Sequence, residues 1–272
     1  MLLIKKLRLA AHLLRGLLTC AFIFPRLSVE QKATRARAWS TRLLELCGMR
    51  LVVHQQAPLA EGGVMLVCNH ISWIDIFAIN AWRPVRFVAK AEIRQWPLVG
   101  WLSVQMGTIF LQRERRADAK RVMHHLAELL DAGEALTVFP EGTTSDGTTL
   151  LPFHANLLHA PASTGKAIQP LCLYYADAAD GGQSMAPSYA GDTTLMQSIN
   201  AILNAPPLTV HLSIGEPLSI PEGAHRREVA ALAEAAVAQA LCGFQREEGV
   251  SEMVAVVETA EVLEPVVSRV YR

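Results

Sequence analysis

From residue 51 onward, short runs rich in β-branched residues alternate with longer stretches of helical periodicity, and this alternation narrows the possible folds more than any other feature. Strands are expected at Leu51–His54, Val64–Cys68, Arg86–Ala89, Thr108–Leu111, Leu136–Phe139, Ile168–Tyr175 and Thr209–Ile214. Helices are expected at Ser72–Ala81, Ala117–Ala132 (ended by Gly133), Thr193–Leu203 and His225–Phe244. The last of these would bury Val229, Leu232, Ala236, Ala240 and Phe244 on one side. Strands and helices in this order argue for an α/β domain whose mixed, mostly parallel sheet is flanked by helices. Sheets of that kind place their chemistry beyond the carboxyl ends of the strands.

The first fifty residues differ in character. They carry ten Lys/Arg against only Glu30 and Glu45, a net +8 in a chain of zero net charge. "MLLIKKLRLAAHLLRGLLTCAFIFPRLS" has the basic start of a signal peptide, but Arg15 interrupts the apolar run and no A-x-A-like site follows. Its longest uncharged run, Gly16–Pro25, falls short of the roughly 18 apolar residues a spanning helix wants. Residues 29–48 give a second helical pattern, with Ala36, Trp39, Leu43, Leu46 and Cys47 on one face, and Pro25 is expected to break the chain between the two. Two basic, apolar helices in succession read as an amphipathic pair that docks on anionic lipid, each basic residue contributing about 1 kcal/mol. The alternative is a helix pair packed on its own domain. The division expected is therefore 1–50 for the N-terminal pair, 51–249 for the α/β domain and 250–272 for a tail of no evident role. Five cysteines, widely spaced and never in a C-x-x-C pair, argue against a disulfide framework or a zinc site and fit a reducing compartment.

One short stretch stands out chemically. "CNHISWIDIF" (Cys68–Phe77) puts Asn69 and His70 just past a strand, with Asp75 five positions after the histidine. Ser72 and Asp75 read as N-cap and N3 of a helix. Within one continuous helix, side chains five apart diverge by about 140°. With His70 on the preceding loop, the chain can instead fold back so that carboxylate meets imidazole, leaving the second ring nitrogen free to act as a base. Later, "GTIFLQR" (Gly107–Arg113) is a strand ending in an arginine suited to gripping phosphate. "FPEGTTSDG" (Phe139–Gly147) leaves another strand through a Glu-Gly turn, offering a carboxylate, hydroxyls and backbone N–H groups. "IQP" (Ile168–Pro170) opens a further strand.

In this order the four blocks resemble the glycerolipid acyltransferase family that includes the bacterial 1-acylglycerol-3-phosphate acyltransferases. N-H-x4-D, G-x-I-F-x-x-R and F-P-E-G-T match letter for letter, and the resemblance covers about residues 64–175. It implies that His70 deprotonates the acceptor hydroxyl and that Asp75 orients His70. It implies that Arg113 grips the acceptor phosphate, and that Asn69, Lys90, Glu141, Gly142 and Thr143 help bind the acceptor. It further implies a lysolipid acceptor, first of all 1-acyl-sn-glycerol-3-phosphate giving phosphatidic acid. The acyl donor would be acyl-CoA or acyl-ACP, with no metal or other cofactor, at the cytoplasmic face of a bacterial inner membrane. Two positions depart from the family: Thr144 follows Thr143 where Arg is common, and His154 stands where Lys is common. Both subtract positive charge, which opens a second acceptor, the lyso form of an ornithine lipid.

Other classes fit less well. No G-x-S-x-G elbow supports a serine hydrolase, and Ser72 is better placed as a cap than as a nucleophile. His124 and His125 are adjacent on a helix and should diverge on its surface rather than ligate a metal. No nucleotide fingerprint is visible. A non-catalytic lipid-binding protein is opposed by the intact set Asn69, His70, Asp75, Arg113 and Glu141. The basic N-terminus is interleaved with aliphatic rather than stacking residues, which favours lipid over nucleic acid.

Overall fold

A computed structural model describes residues 2–111, 116–221 and 223–246, with 116–120 as backbone only. Arg113 and the 250–272 tail lie outside the described residues. The elements in chain order are α1 (Leu2–Leu18), α2 (Val29–Leu46), β1 (Met49–Gln55), β2 (Val64–Cys68), α3 (Asp75–Trp82), β3 (Arg86–Lys90) and α4 (Val99–Gln105). They continue with β4 (Ile109–Leu111), α5 (Arg116–Asp131), β5 (Ala135–Val138), α6 (His159–Thr164), β6 (Ala167–Asp177), α7 (Leu195–Asn204), β7 (Leu208–Ile214) and α8 (Arg226–Gln245).

The strands form one seven-stranded sheet in the order β1-β7-β6-β2-β5-β3-β4. All neighbours pair parallel except β6 and β7, which are antiparallel. Consequently β2, β3, β4, β5 and β6 end on the same edge of the sheet. The blocks that follow them in sequence are gathered there by topology alone.

Every residue of β2 is buried. Val64, Leu66 and Cys68 join one apolar cluster, with α2, α3 and α7, through Leu43, Leu44, Ile74, Ile79 and Ile202. Met65 and Val67 join the opposite cluster, with α5 and α8, through Leu126, Leu130, Val229, Val237 and Leu241. The strand's two-residue period thus feeds both faces, as a central parallel strand must. Helix α8 turns a different face inward from the one expected. Val229, Ala230, Ala233, Val237, Leu241 and Phe244 are buried, whereas Leu232 is 54% exposed. In an alanine-rich helix several faces are almost equally apolar, so the shape of the sheet decides which one is covered.

The N-terminal pair both packs on the body and leaves a face open. Ser28 and Gln31 start α2 with a reciprocal capping box. Helix α2 lies against α3, and Arg37 Nε donates to the Ala81 carbonyl. Helix α1 is clamped to α2 by His12 and Trp39, whose rings stack 4.6 Å apart and which each donate to the other's carbonyl. A Cβ on Gly16 would come within 2.7 Å of the Trp39 indole, so only glycine permits this approach. On the other side of α1, Leu3, Ile4, Leu7 and Leu14 are exposed, as is Phe22 in the turn that follows it. The expected break at Pro25 does not occur there: helical structure continues through a π turn and a 3-10 turn to Arg26. Proline in the first turn of a helical segment lacks only an N–H that would be unbonded anyway. The resulting 25-residue element is long and apolar enough, by length and composition, to cross a membrane. The ten-residue uncharged run understated it because helical continuity carries the apolar face past Arg15.

Candidate active site

Asn69 directly follows the last residue of β2. Its side-chain Nδ2 donates to the Leu173 carbonyl (2.9 Å) and its Oδ1 accepts from the Leu173 N–H (2.8 Å). The carboxamide substitutes for a rung of the β2–β6 ladder, and the residue is buried. Its polar groups are therefore occupied by main chain, which makes it a positioning residue for the histidine that follows.

His70 Nδ1 and Asp75 Oδ2 are 2.7 Å apart. The same carboxylate oxygen accepts the backbone N–H groups of Ile71 (2.7 Å) and Ser72 (2.9 Å). Its other oxygen accepts the Tyr175 hydroxyl at 2.5 Å. Asp75 is completely buried, whereas the His70 side chain is 19% exposed. With Nδ1–H committed to Asp75, Nε2 is the nitrogen left for other chemistry. The imidazole also stacks on Phe139, 4.0 Å between centroids and 16° between planes, and Phe87 extends the stack.

Local geometry here differs from the expected cap. Helix α3 begins at Asp75 rather than Ser72, and no side chain caps it. The Ser72 hydroxyl is buried with no hydrogen-bond partner among the described residues. Asp75 instead reaches backward to the N–H groups of the bend, which is the returning half of a capping box without its forward half. That backward reach is what folds the carboxylate onto His70.

The turn after β5 is built around Glu141. Oε1 accepts the His70 backbone N–H (2.6 Å) and Oε2 accepts the Leu151 N–H (2.9 Å). Burial, outweighing these two bonds, pushes its carboxyl above the usual range. Gly142 adopts a φ of 70°, where a side chain would be strained, and closes the turn onto the Phe139 carbonyl. Thr143 and Lys90 are exposed, Lys90 at the end of β3. Ser145 N–H donates to the His70 carbonyl (2.7 Å). Thr144, half-buried, donates its hydroxyl to the Tyr189 carbonyl, and the Tyr189 N–H donates to the Ile71 carbonyl (2.9 Å). Thus the loop after β6 is tied to the histidine bend from both sides. His154 is exposed.

Tyr175 and Tyr189 were not singled out in the sequence, and Phe139 only as the first letter of the F-P-E-G-T block. Tyr175 stands 100 residues from its partner, and "YY" within an apolar strand carries no local signal. Cys68, beside the site, is fully buried, and burial raises its thiol well above the ordinary range, which leaves it inert. His124 and His125, expected to diverge, both lie within 3.5 Å of Glu128 on the exposed side of α5. Among the described residues no group of three or more His, Cys, Asp or Glu is placed to hold a metal.

Known proteins resemble this chain in sequence and in fold. An acyltransferase family model matches residues 50–174. The lyso-ornithine lipid O-acyltransferase of Pseudomonas aeruginosa is 35% identical over 79% of this chain and 80% of its own. The 1-acyl-sn-glycerol-3-phosphate acyltransferase of Neisseria meningitidis is 36% identical over 60% of this chain and 63% of its own. The crystal structure of the 1-acyl-sn-glycerophosphate acyltransferase PlsC from Thermotoga maritima superimposes with a TM-score of 0.57 at 20% identity, covering 88% of this chain and 98% of that one. With the mixed, mostly parallel sheet and the H-x4-D bend both in place, the chain belongs to the glycerolipid acyltransferase family of lipid-synthesising enzymes.

Proposed function

We propose that this enzyme transfers an acyl chain from acyl-CoA or acyl-ACP to the free hydroxyl of a lysolipid, with His70 as general base and Asp75 as its orienting partner. The observation that carries the reading is the 2.7 Å contact between His70 Nδ1 and a wholly buried Asp75. His70 Nε2 removes the acceptor's hydroxyl proton as the oxygen attacks the thioester carbonyl. The tetrahedral intermediate collapses with loss of the thiolate, which receives the proton from the imidazolium. General-base help of this kind is worth about 10²–10⁴-fold. Lys90 and Arg113 bring positive charge to the acceptor's headgroup. Residues 51–249 carry the chemistry, while the open apolar face of α1 holds the enzyme at the cytoplasmic side of the inner membrane, where the acceptor resides.

For the acceptor, 1-acyl-sn-glycerol-3-phosphate is the first reading. The lyso form of an ornithine lipid is the second, favoured by Thr144, whose hydroxyl is spent on the Tyr189 carbonyl where a headgroup cation is common in the family. Purified protein in detergent, offered labelled acyl donor and a panel of lysolipids with products separated by headgroup, tests both. The expected result is one acylated product, lost in His70→Ala while fold and vesicle binding persist. Undiminished turnover by that variant would remove His70 from the mechanism.

A further inference from the structure

The crossover from β3 to β4 carries an apolar segment that the catalytic reading does not use. It starts at Lys90, on the sheet edge that also bears His70, and runs through a 3-10 turn (Ala91–Gln95) into α4. Trp96, Leu98, Val99, Trp101 and Val104 are exposed there, from 40% for Trp101 to 61% for Leu98. Buried apolar residues are few: in α4 only Gly100 is buried.

Two features show that this shape is held against its own backbone cost. Leu98 has φ 62° and ψ −52°, and the Val99 N–H bonds the Pro97 carbonyl at 2.7 Å. That is a γ-turn of the rare, strained hand, with a bulky side chain at its apex. It is the one non-glycine residue at positive φ among the described residues. Next to it, a Cβ on Gly100 would sit 2.2 Å from the Arg94 carbonyl oxygen, so α4 packs directly on the backbone of the 3-10 turn. A soluble surface gains nothing from extruding a leucine on a strained turn between two tryptophans.

We propose that the Trp96–Val104 segment is a membrane-docking strap that seats on an anionic phospholipid surface beside the active site. Tryptophans favour the headgroup level of a bilayer, and leucine and valine the acyl boundary below it. The charge around the strap is complementary to anionic lipid. Lys90 and Arg94 are exposed beside it, Arg94 with its guanidinium 5.8 Å from the Phe110 ring centroid, against the single carboxylate of Glu92. The strap is also coupled to the catalytic histidine. Strand β3, which delivers it, carries Phe87, and Phe87 stacks on Phe139, which stacks on His70. Seating the strap places the mouth of the site against the lipid that supplies the acceptor. In this respect the inference rests on the reading of the chain as a lysolipid acyltransferase.

The test uses the full chain and vesicles of phosphatidylcholine and phosphatidylglycerol with bromine on the acyl chains, which quench nearby indoles. Wild-type fluorescence should be strongly quenched, and the difference between wild type and Trp96→Phe/Trp101→Phe should account for most of that quenching. A second variant, Leu98→Glu/Trp101→Glu, should bind vesicles about tenfold more weakly. Its turnover of a monodisperse short-chain lysolipid should stay within about twofold of wild type, provided its melting curve is unchanged. Equal quenching of wild type and the double Phe variant, or equal vesicle affinity of the Glu variant, overturns the strap. Quenching needs no turnover, so an inactive wild-type enzyme would refute the proposed reaction and leave the strap standing.

Discussion

Tyr175 donates its hydroxyl to the carboxylate oxygen of Asp75 that does not face His70, at 2.5 Å and with both side chains fully buried. Burial, and then the neighbouring Asp75, hold the phenol well above its ordinary pKa, so it remains a donor across the working range. Asp75 is thereby fixed from β6 as well as from its own bend. Removing the hydroxyl in Tyr175→Phe leaves a buried acceptor one bond short, which costs about 1–3 kcal/mol. The expected outcome is a fall in kcat of about tenfold with the acceptor KM little changed. An acceptor KM that rises while kcat holds would mean that Tyr175 does not position the dyad.

Asp75→Asn tests the carboxylate itself. Three N–H groups converge on Oδ2, so the amide must place its oxygen there and turn its NH₂ toward Tyr175, whose hydroxyl can accept. The bend should therefore keep its shape while losing the negative charge beside the imidazole. Turnover should fall by about 10²–10⁴-fold with a near-native melting curve, and adding Tyr175→Phe should cost much less than it does alone. Fully additive losses would show that the two residues act separately.

The sequence revealed His70 and Asp75 because their meeting is decided within six residues, by a strand end and a bend. The strands were legible for a similar reason: β2 begins and ends where its uninterrupted apolar run does. Short elements were not. Helix α6 (His159–Thr164) and α4 are too brief to show a period, and α4 exposes the apolar residues that would define one. Glu141 stood out in the F-P-E-G-T block, but its hydrogen-bond partners were not legible. An acidic residue after a strand gives no sign that both oxygens will be taken by distant N–H groups.

That geometry makes a separable prediction for Glu141. In Glu141→Gln one of the two N–H groups, of His70 or Leu151, must face an NH₂ donor. The variant should lose about 1–3 kcal/mol of stability and several-fold in kcat, with little change in acceptor KM. A large rise in acceptor KM with stability unchanged would place this carboxylate on the headgroup instead.

Thr144 offers a test of the acceptor. Thr144→Arg supplies the cation common in the family, and its guanidinium can still donate to the Tyr189 carbonyl that Thr144 now serves. If the headgroup reaches this position, kcat/KM for 1-acyl-sn-glycerol-3-phosphate should rise against that for the lyso-ornithine lipid by about tenfold, or 1.4 kcal/mol. The ratio of the two, measured in the same detergent, is the readout. An unchanged ratio would remove Thr144 from headgroup selection.

Far from the His70–Asp75 bend, His54 on β1 and His211 on β7 bury their rings together, with His54 Nε2 2.9 Å from His211 Nδ1 and Phe244 against both. One nitrogen donates and the other accepts, so the neutral pair is satisfied by a single hydrogen. Burial first, then His54, then Arg50, lowers the pKa of His211 to about 4. The unfolded chain binds a proton at this residue below its ordinary value of 6.5, whereas the folded chain resists doing so until about 4. Stability from this group is therefore complete above pH 6.5 and is lost as pH falls through that window, by at most about 1.4 kcal/mol per pH unit. His211→Asn removes the titrating group and retains a nitrogen or oxygen near Nδ1. Between pH 6.5 and 4.5 its denaturation midpoint should fall less steeply than that of the wild type, although it begins lower. Parallel curves for the two proteins would show that His211 is protonated as readily in the fold as outside it.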